Sequence, residues 1–251
     1  MIKKLLQRVF SKKDKTAKHE PAKQHGRNNQ GSNSKRATHS AKRISSKTHR
    51  IDRRLLSNAA VKTTEGLQKA GFEAYIVGGA VRDLLLKKRP KDFDVATDAT
   101  PEEVNRVFRR SRIIGRRFRL VHVMFGDETI EVSTFRGSHL GESDDNQVAD
   151  SGRILRDNVF GNQEEDAVRR DFTANALYYD PATEEVLDFH NGVADIQAGV
   201  LKMIGDPVTR YREDPVRMLR AVRLSAKLGL KIDSATESPI PQLAELLNDV
   251  P

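Results

Sequence analysis

Cysteine is absent from all 251 residues, which excludes a disulfide framework and any thiolate metal site and fits a reducing compartment. No apolar run approaches the roughly 20 residues that span a bilayer. The first residues also lack a continuous apolar signal core followed by a small-residue cleavage site. Both standard phosphate fingerprints are missing: G-x-x-x-x-G-K-[ST] occurs nowhere, and the turn Gly78-Gly79-Ala80-Val81-Arg82-Asp83 is not G-x-G-x-x-G. P-loop and dinucleotide readings drop out. Apolar residues are scarce between Ser11 and Lys47, whereas the chain as a whole is 37% hydrophobic, enough for a core of one or two domains.

What is plentiful is positive charge, and it is unevenly placed. The formal net charge is +9, yet residues 1–57 alone carry +14, so residues 58–251 carry −5. The stretch 1–50 reads as a disordered basic tail, because Lys, Arg, Ser, Asn, Gln and His cannot bury enough surface to offset ordering entropy. Such a tail suits RNA phosphates in a salt-dependent way. Within it, Ile2, Leu5, Leu6, Val9 and Phe10 fall at helical spacing between Lys3, Lys4 and Arg8, a pattern suited to weak contact with an anionic membrane surface.

The most informative run is Tyr75 to Val95. Tyr75, Ile76 and Val77 read as a short buried strand, Gly78-Gly79 as a tight turn, and Ala80 to Leu86 as a helix whose N-terminal amides face a phosphate. Pro90 ends that helix. From Lys91 to Ala96, Phe93 and Val95 alternate with Asp92 and Asp94, so two carboxylates share one exposed face. Hard cations such as Mg²⁺ take oxygen ligands, and paired cations serve in-line phosphoryl displacement. An i,i+2 acid pair on a solvated strand edge has the same pattern, so the flanking context decides.

Four blocks carry a resemblance to the nucleotidyltransferases related to DNA polymerase β, in the branch of bacterial poly(A) polymerases and tRNA CCA-adding enzymes. They are GGAVRD at 78–83 with DFD at 92–94, IEVSTFRG at 130–137, RRDFTANALYYD at 169–180, and EDPVRMLRAVRLSAKLG at 213–229. The resemblance implies that Asp92 and Asp94 bridge two Mg²⁺ ions and that Glu131 supplies a third carboxylate. It further implies that Gly78, Gly79, Arg82, Asp83, Arg169, Arg170, Asp171 and Asn175 line the triphosphate and ribose side of the pocket, with Asp171 positioning the ribose or supporting the metal cluster. Asp214 and Arg217 act in CCA-adding relatives as an amino-acid template for the base edge, a role that suits an acceptor-only Asp beside a donor-only Arg. Arg220 and Arg223 continue along that helix toward phosphate or RNA.

One segment separates the two activities of the family. IIGRRFRLVHV at 113–123 resembles the stretch that marks the poly(A) polymerases, and its Arg116, Arg117 and Arg119 bracket Phe118 in a cation-rich loop suited to RNA. His122 within the same strand reads as structural. The implied activity is addition of AMP from ATP to RNA 3′ ends. The implied setting is a bacterial cytoplasm or its inner-membrane periphery, with RNA-decay or RNA-chaperone proteins as neighbours. CCA addition to tRNA and a catalytically silent RNA-binding module are the rival readings.

The remaining segments predict an α+β fold. A helix is expected from Asp52 to Ala70 with Gly71 as its stop, and another after the Thr100-Pro101-Glu102-Glu103 capping box. Strands are expected at 113–114, 120–125 and 129–134, the last two joined at Gly126-Asp127. Residues 137–163 read as a mobile loop and 169–180 as a helix. These segments divide the chain into a tail (1–50), a catalytic head (51–206) with a small mixed sheet, and the start of a helical neck (207–251). Because the family continues into further helical domains, the chain is expected to be a fragment.

Overall fold

The structure, a computed structural model, describes residues 40–115, 119–137, 146–148, 154–157 and 159–250. The membrane-suited segment, most of the basic tail, and Arg116 and Arg117 lie outside the described residues. Residues 40–251 group into one compact unit. No helix among the described residues is long and apolar enough to cross a membrane.

The described chain opens with an edge strand, β1 (Lys42–Ile44), and one helical turn, α1 (Ser46–His49). Both fall in the stretch expected to be disordered, so that expectation fails from residue 40 onward. The cause is tertiary. β1 pairs antiparallel with the strand Glu185–Asp188, Ile44 is buried opposite Val186, and His49 Nε2 lies 2.9 Å from the Glu184 carbonyl oxygen. Ladder bonds and burial offset an ordering entropy that composition alone does not.

The helix expected from Asp52 divides into a 3-10 turn, Arg53–Leu55, and α2 (Asn58–Lys69), because the Ser57 hydroxyl accepts the Ala60 N–H at 3.1 Å and starts a new helix. α2 stops as expected: Gly71 has φ +94°, and the Phe72 N–H reaches the Leu67 carbonyl at 3.1 Å. Next come β2 (Ala74–Val77), α3 (Gly79–Leu85), β3 (Asp94–Thr97) and α4 (Pro101–Val107), whose Thr100/Glu103 capping box is formed. The strands β4 (Ser111–Ile114), β5 (Leu120–Phe125) and β6 (Glu128–Thr134) follow, the last two turning through Gly126-Asp127.

Two expectations are corrected beyond this point. The presumed loop at 137–163 contains β7 (Asn146–Val148) and β8 (Ile154–Asp157), paired antiparallel, and then α5 (Gln163–Arg169). The block at 169–180 is not a helix. It leaves α5 at Arg170, makes a single 3-10 turn over Thr173–Asn175 and enters β9 (Leu177–Asp180). Its backbone is claimed from outside, since Thr173 N–H donates to the Lys202 carbonyl and Ile204 N–H to that of Asp171. Then follow β10 (Glu185–Asp188), α6 (Gly192–Gln197), β11 (Val200–Leu201), α7 (Pro207–Glu213), α8 (Val216–Leu228), β12 (Lys231–Ile232), the short helices α9 (Ser234–Glu237) and α10 (Ile240–Leu243), and a 3-10 stretch over Ala244–Asp249.

The main sheet runs β1-β10-β9-β2-β3-β6-β5-β4 and is antiparallel except where β3 meets β6. Two neighbouring rungs explain its two faces. Ile44, Val186, Tyr179, Ile76, Val95, Val132, Val121 and Ile113 are paired across all eight strands, an apolar row whose central part α2 and α4 cover. The adjacent rung points to the other face and reads Arg43, Leu187, Tyr178, Val77, Asp94, Glu131, His122, Arg112. Its Leu187, Tyr178 and Val77 are buried in a cluster with Phe135 and Ala167. From Glu131 to Arg112 the same face opens to solvent.

Gly192 fixes how the 3-10 turn sits, because a Cβ there would lie 2.1 Å from the Thr173 carbonyl oxygen. Gly192→Ala is expected to cost about 2 kcal/mol or more through overpacking against backbone. A urea-unfolding midpoint equal to that of the parent would show that the turn yields freely.

Candidate active site

The site sits where the covered half of the second face gives way to the open half. Val95, Val132 and Val121 anchor three strands to α2 and α4, so Asp94 and Glu131 must project from the opposite face as direct neighbours on parallel strands. Asp92 lies just before β3 and is exposed, while Asp94 is half-buried and Glu131 exposed. Burial, then the neighbouring Glu131 charge and, more weakly, Asp92, push the Asp94 carboxyl up to about 6 against the opposing pull of Arg170. Like charges held this close favour a bound cation. Among the described residues no group of three or more such side chains is gathered tightly enough to enclose one by itself. His122, opposite Glu131 on β5, places Nε2 3.3 Å from Oε1 and is a third exposed, so it belongs to this site and not to the core.

Beside the acids lies a cleft of about 540 Å³. Gly78, Gly79, Arg82 and Asp94 line one side, Arg170, Asp171 and Asn175 a second, and Asp214, Arg217, Arg220, Arg223, Leu224 and Lys227 the third. Six cations thus face three aspartates, an excess of positive charge suited to a polyanion. Gly78 has φ +69°, which lets β2 turn into α3 at the floor of the cleft.

Two of the cations, Arg82 and Arg220, are held by one hydrogen-bonded network. Arg82 donates to Asp83 Oδ1 through Nε at 2.8 Å and Nη2 at 2.6 Å, and through Nη1 to Asn175 Oδ1 at 2.6 Å. Asn175 Nδ2 in turn donates to Asp171 Oδ1 at 3.1 Å, and Asp171 Oδ2 accepts Arg220 Nε at 2.7 Å. Asp171 and Asn175 therefore meet as expected, but across a 3-10 turn and not along a helix face. Asp83 is not among the cleft-lining residues: it stands behind Arg82 as its counter-charge.

Several functional residues escaped the sequence reading. Asp166, 4% exposed, accepts from Arg170 Nη2 at 2.9 Å and from the Tyr178 hydroxyl at 2.8 Å. Burial alone would raise its pKa, but Arg170 and Arg169, with Tyr178, carry it below the usual carboxylate value. Its signal was the spacing of one acid three and four residues before Arg169 and Arg170. Arg169 pairs with Asp166 at 3.6 Å and stays out of the cleft lining. Arg210 fixes the turn between α5 and β9 by donating to the Arg169 and Arg170 carbonyls at 2.6 and 2.7 Å.

The presumed template pair is also arranged differently. The Asp214 carboxylate accepts the Val216 N–H at 3.1 Å, whereas Arg217 Nη1 donates to Glu213 Oε2 at 2.9 Å and to the Arg210 carbonyl at 2.8 Å. Both residues still line the cleft. Arg119 reaches back to Glu102 on α4, so its guanidinium is engaged within the head.

This sheet with its flanking helices is that of a nucleotidyltransferase head. The Bacillus stearothermophilus CCA-adding enzyme in complex with CTP matches it with a TM-score of 0.66 at 34% identity, over 77% of this chain and 45% of that one. The family model described as the poly A polymerase head domain matches residues 74–202, and the chain belongs to that family. It is 59% identical over 206 residues to poly(A) polymerase I of Escherichia coli O157:H7, and 41% identical over 184 residues to the CCA-adding enzyme of Bacillus subtilis. Those alignments cover 81% and 73% of this chain and 44% of each relative, so the chain spans less than half the length of the curated relatives it matches.

Proposed function

We propose that the chain is the nucleotidyl-transferring part of a polynucleotide adenylyltransferase that adds AMP from ATP to RNA 3′ ends without a template. The observation that carries this reading is the adjacency of Asp94 and Glu131 at the mouth of a cation-lined cleft. The higher identity to poly(A) polymerase I than to CCA-adding enzymes supports the choice of product.

In this reading Asp92, Asp94 and Glu131 would hold two Mg²⁺ ions, which when bound would supply neutralisation of charge at the α-phosphate and activation of the attacking hydroxyl. Arg82, Arg170 and Arg220 take the triphosphate oxygens, with Gly78 and Gly79 letting the backbone approach closely. Asp171 serves the ribose and keeps Arg220 in place. Residues 51–206 act as the catalytic head, and those from 207 on begin a helical part that reads the base and guides RNA through Arg223. The setting is the bacterial cytoplasm.

The test offers single-stranded RNA, or tRNA lacking CCA, with ATP or CTP separately. AMP incorporation into generic RNA is expected, whereas CMP incorporation confined to tRNA would move the chain to CCA addition. Arg217→Ala is expected to lower the preference for ATP about tenfold, by removing a hydrogen-bonding partner of the base edge, with little change in triphosphate affinity. Unchanged preference with weakened ATP binding would instead give Arg217 a phosphate role.

A further inference from the structure

The rung that carries Asp94 and Glu131 does not end with them. It continues through His122 on β5 to Arg112 on β4, the free edge of the sheet, and directly paired residues project to the same face. Met124, two residues beyond His122 and on that face, is 42% exposed, one of five exposed large apolar side chains among the described residues. Arg112 is exposed as well. Between Val104 and Gly126 the sequence holds seven arginines and no acid, and the rung sets Arg112 among them on this face, a cation suited to a polyanion's phosphate. With strands about 4.8 Å apart, Arg112 stands roughly 15 Å from Asp94 along the rung.

We propose that the open face of β4 and β5, through Arg112 and Met124, is a binding surface for the single-stranded RNA whose 3′ end lies at Asp94 and Glu131. The proposal rests on the function proposed above and deepens it by giving the primer a path. Arg112 contacts one backbone phosphate a few linkages from the 3′ end, and Met124 packs against a sugar or base between that phosphate and the acids. The strand thereby approaches from the β4 edge, on the side of the acids away from the buried Tyr178 cluster.

The test measures binding, so it does not depend on turnover. A fluorescent single-stranded RNA is titrated with the full chain and with Arg112→Gln and Met124→Ser, using oligonucleotides in which each of the last four linkages is replaced in turn by an uncharged methylphosphonate. Arg112→Gln is expected to weaken binding about three- to fivefold and to reduce the salt slope by about 0.7, the value for one phosphate on a single strand. One methylphosphonate position should weaken binding to the parent chain and have no further effect on Arg112→Gln. Met124→Ser should weaken binding with an unchanged salt slope. Equal sensitivity of the parent and Arg112→Gln to every methylphosphonate would overturn the proposal. Parent-like binding by both variants would overturn it too. ATP affinity, measured alongside, is expected to stay at the parent value in both variants. If RNA binds as described but no nucleotide is incorporated, the path stands and the proposed reaction falls.

Discussion

Asp94→Asn is expected to melt at a higher temperature than the parent chain in metal-free buffer while losing about a thousandfold or more in AMP transfer. Activity falls because an amide does not replace a carboxylate as a Mg²⁺ ligand, and about 4 kcal/mol of transition-state stabilisation is worth that factor. Stability rises because the fold bears the cost of the charge. The Asp94 carboxyl ordinarily titrates near 3.8 and is pushed up to about 6 by burial and by Glu131. A raised acid pKa means that folding becomes less favourable as pH rises from about 4 to about 6, with the full cost above that range. Removing the charge should therefore gain on the order of 1–3 kcal/mol at pH 7.5 and nothing below pH 4. A variant that melts lower than the parent at pH 7.5 would show that Asp94 is satisfied within the protein.

Asp166→Ala should have the opposite effect on stability, a loss of about 3–5 kcal/mol, the usual consequence of removing one partner of a buried ion pair. The Arg170 guanidinium would be left beside the Tyr178 ring, 5.1 Å from its centroid, without its main counter-charge. Since Arg170 lines the cleft, ATP affinity should fall with it. The pH dependence is also opposite. The Asp166 carboxyl lies below its ordinary value, so its contribution is complete above about pH 4 and is lost as pH falls through the depressed pKa. The gap between parent and variant in urea midpoint should thus be wide at pH 7 and narrow in acid. An equal midpoint at pH 7 would remove Asp166 from the framework of the site.

Much of the site was legible because its signals are local. Alternation around Asp94, the Thr100/Glu103 capping box and the Gly126-Asp127 turn each need only a few neighbouring residues and stand where the sequence puts them, although Asp92 precedes the strand and Asp94 is half-buried and not exposed. What was not legible depends on partners far along the chain. Lys42–Ile44 becomes a strand only because Glu185–Asp188 offers an edge. The 3-10 turn at Thr173–Asn175 is fixed by Lys202 and Gly192, which no period in residues 169–180 reveals. His122 reads as a core histidine from β5 alone, and only its register against Glu131 brings it to the acids. Arg217 lines the cleft, and its pairing with Glu213 instead of Asp214 follows from the bend between α7 and α8.

If Asp94 and its neighbouring carboxylates hold the cation of a nucleotidyl-transfer site, the melting temperatures of the parent and of Asp94→Asn should part over a Mg²⁺ titration at saturating ATP. Binding to the native state alone stabilises it by about 2.7 kcal/mol at one hundred times the dissociation constant. The parent should therefore rise by several degrees across the titration, and Asp94→Asn, although it starts higher without metal, should stay flat. The same rise in both proteins would place the cation elsewhere and contradict the account.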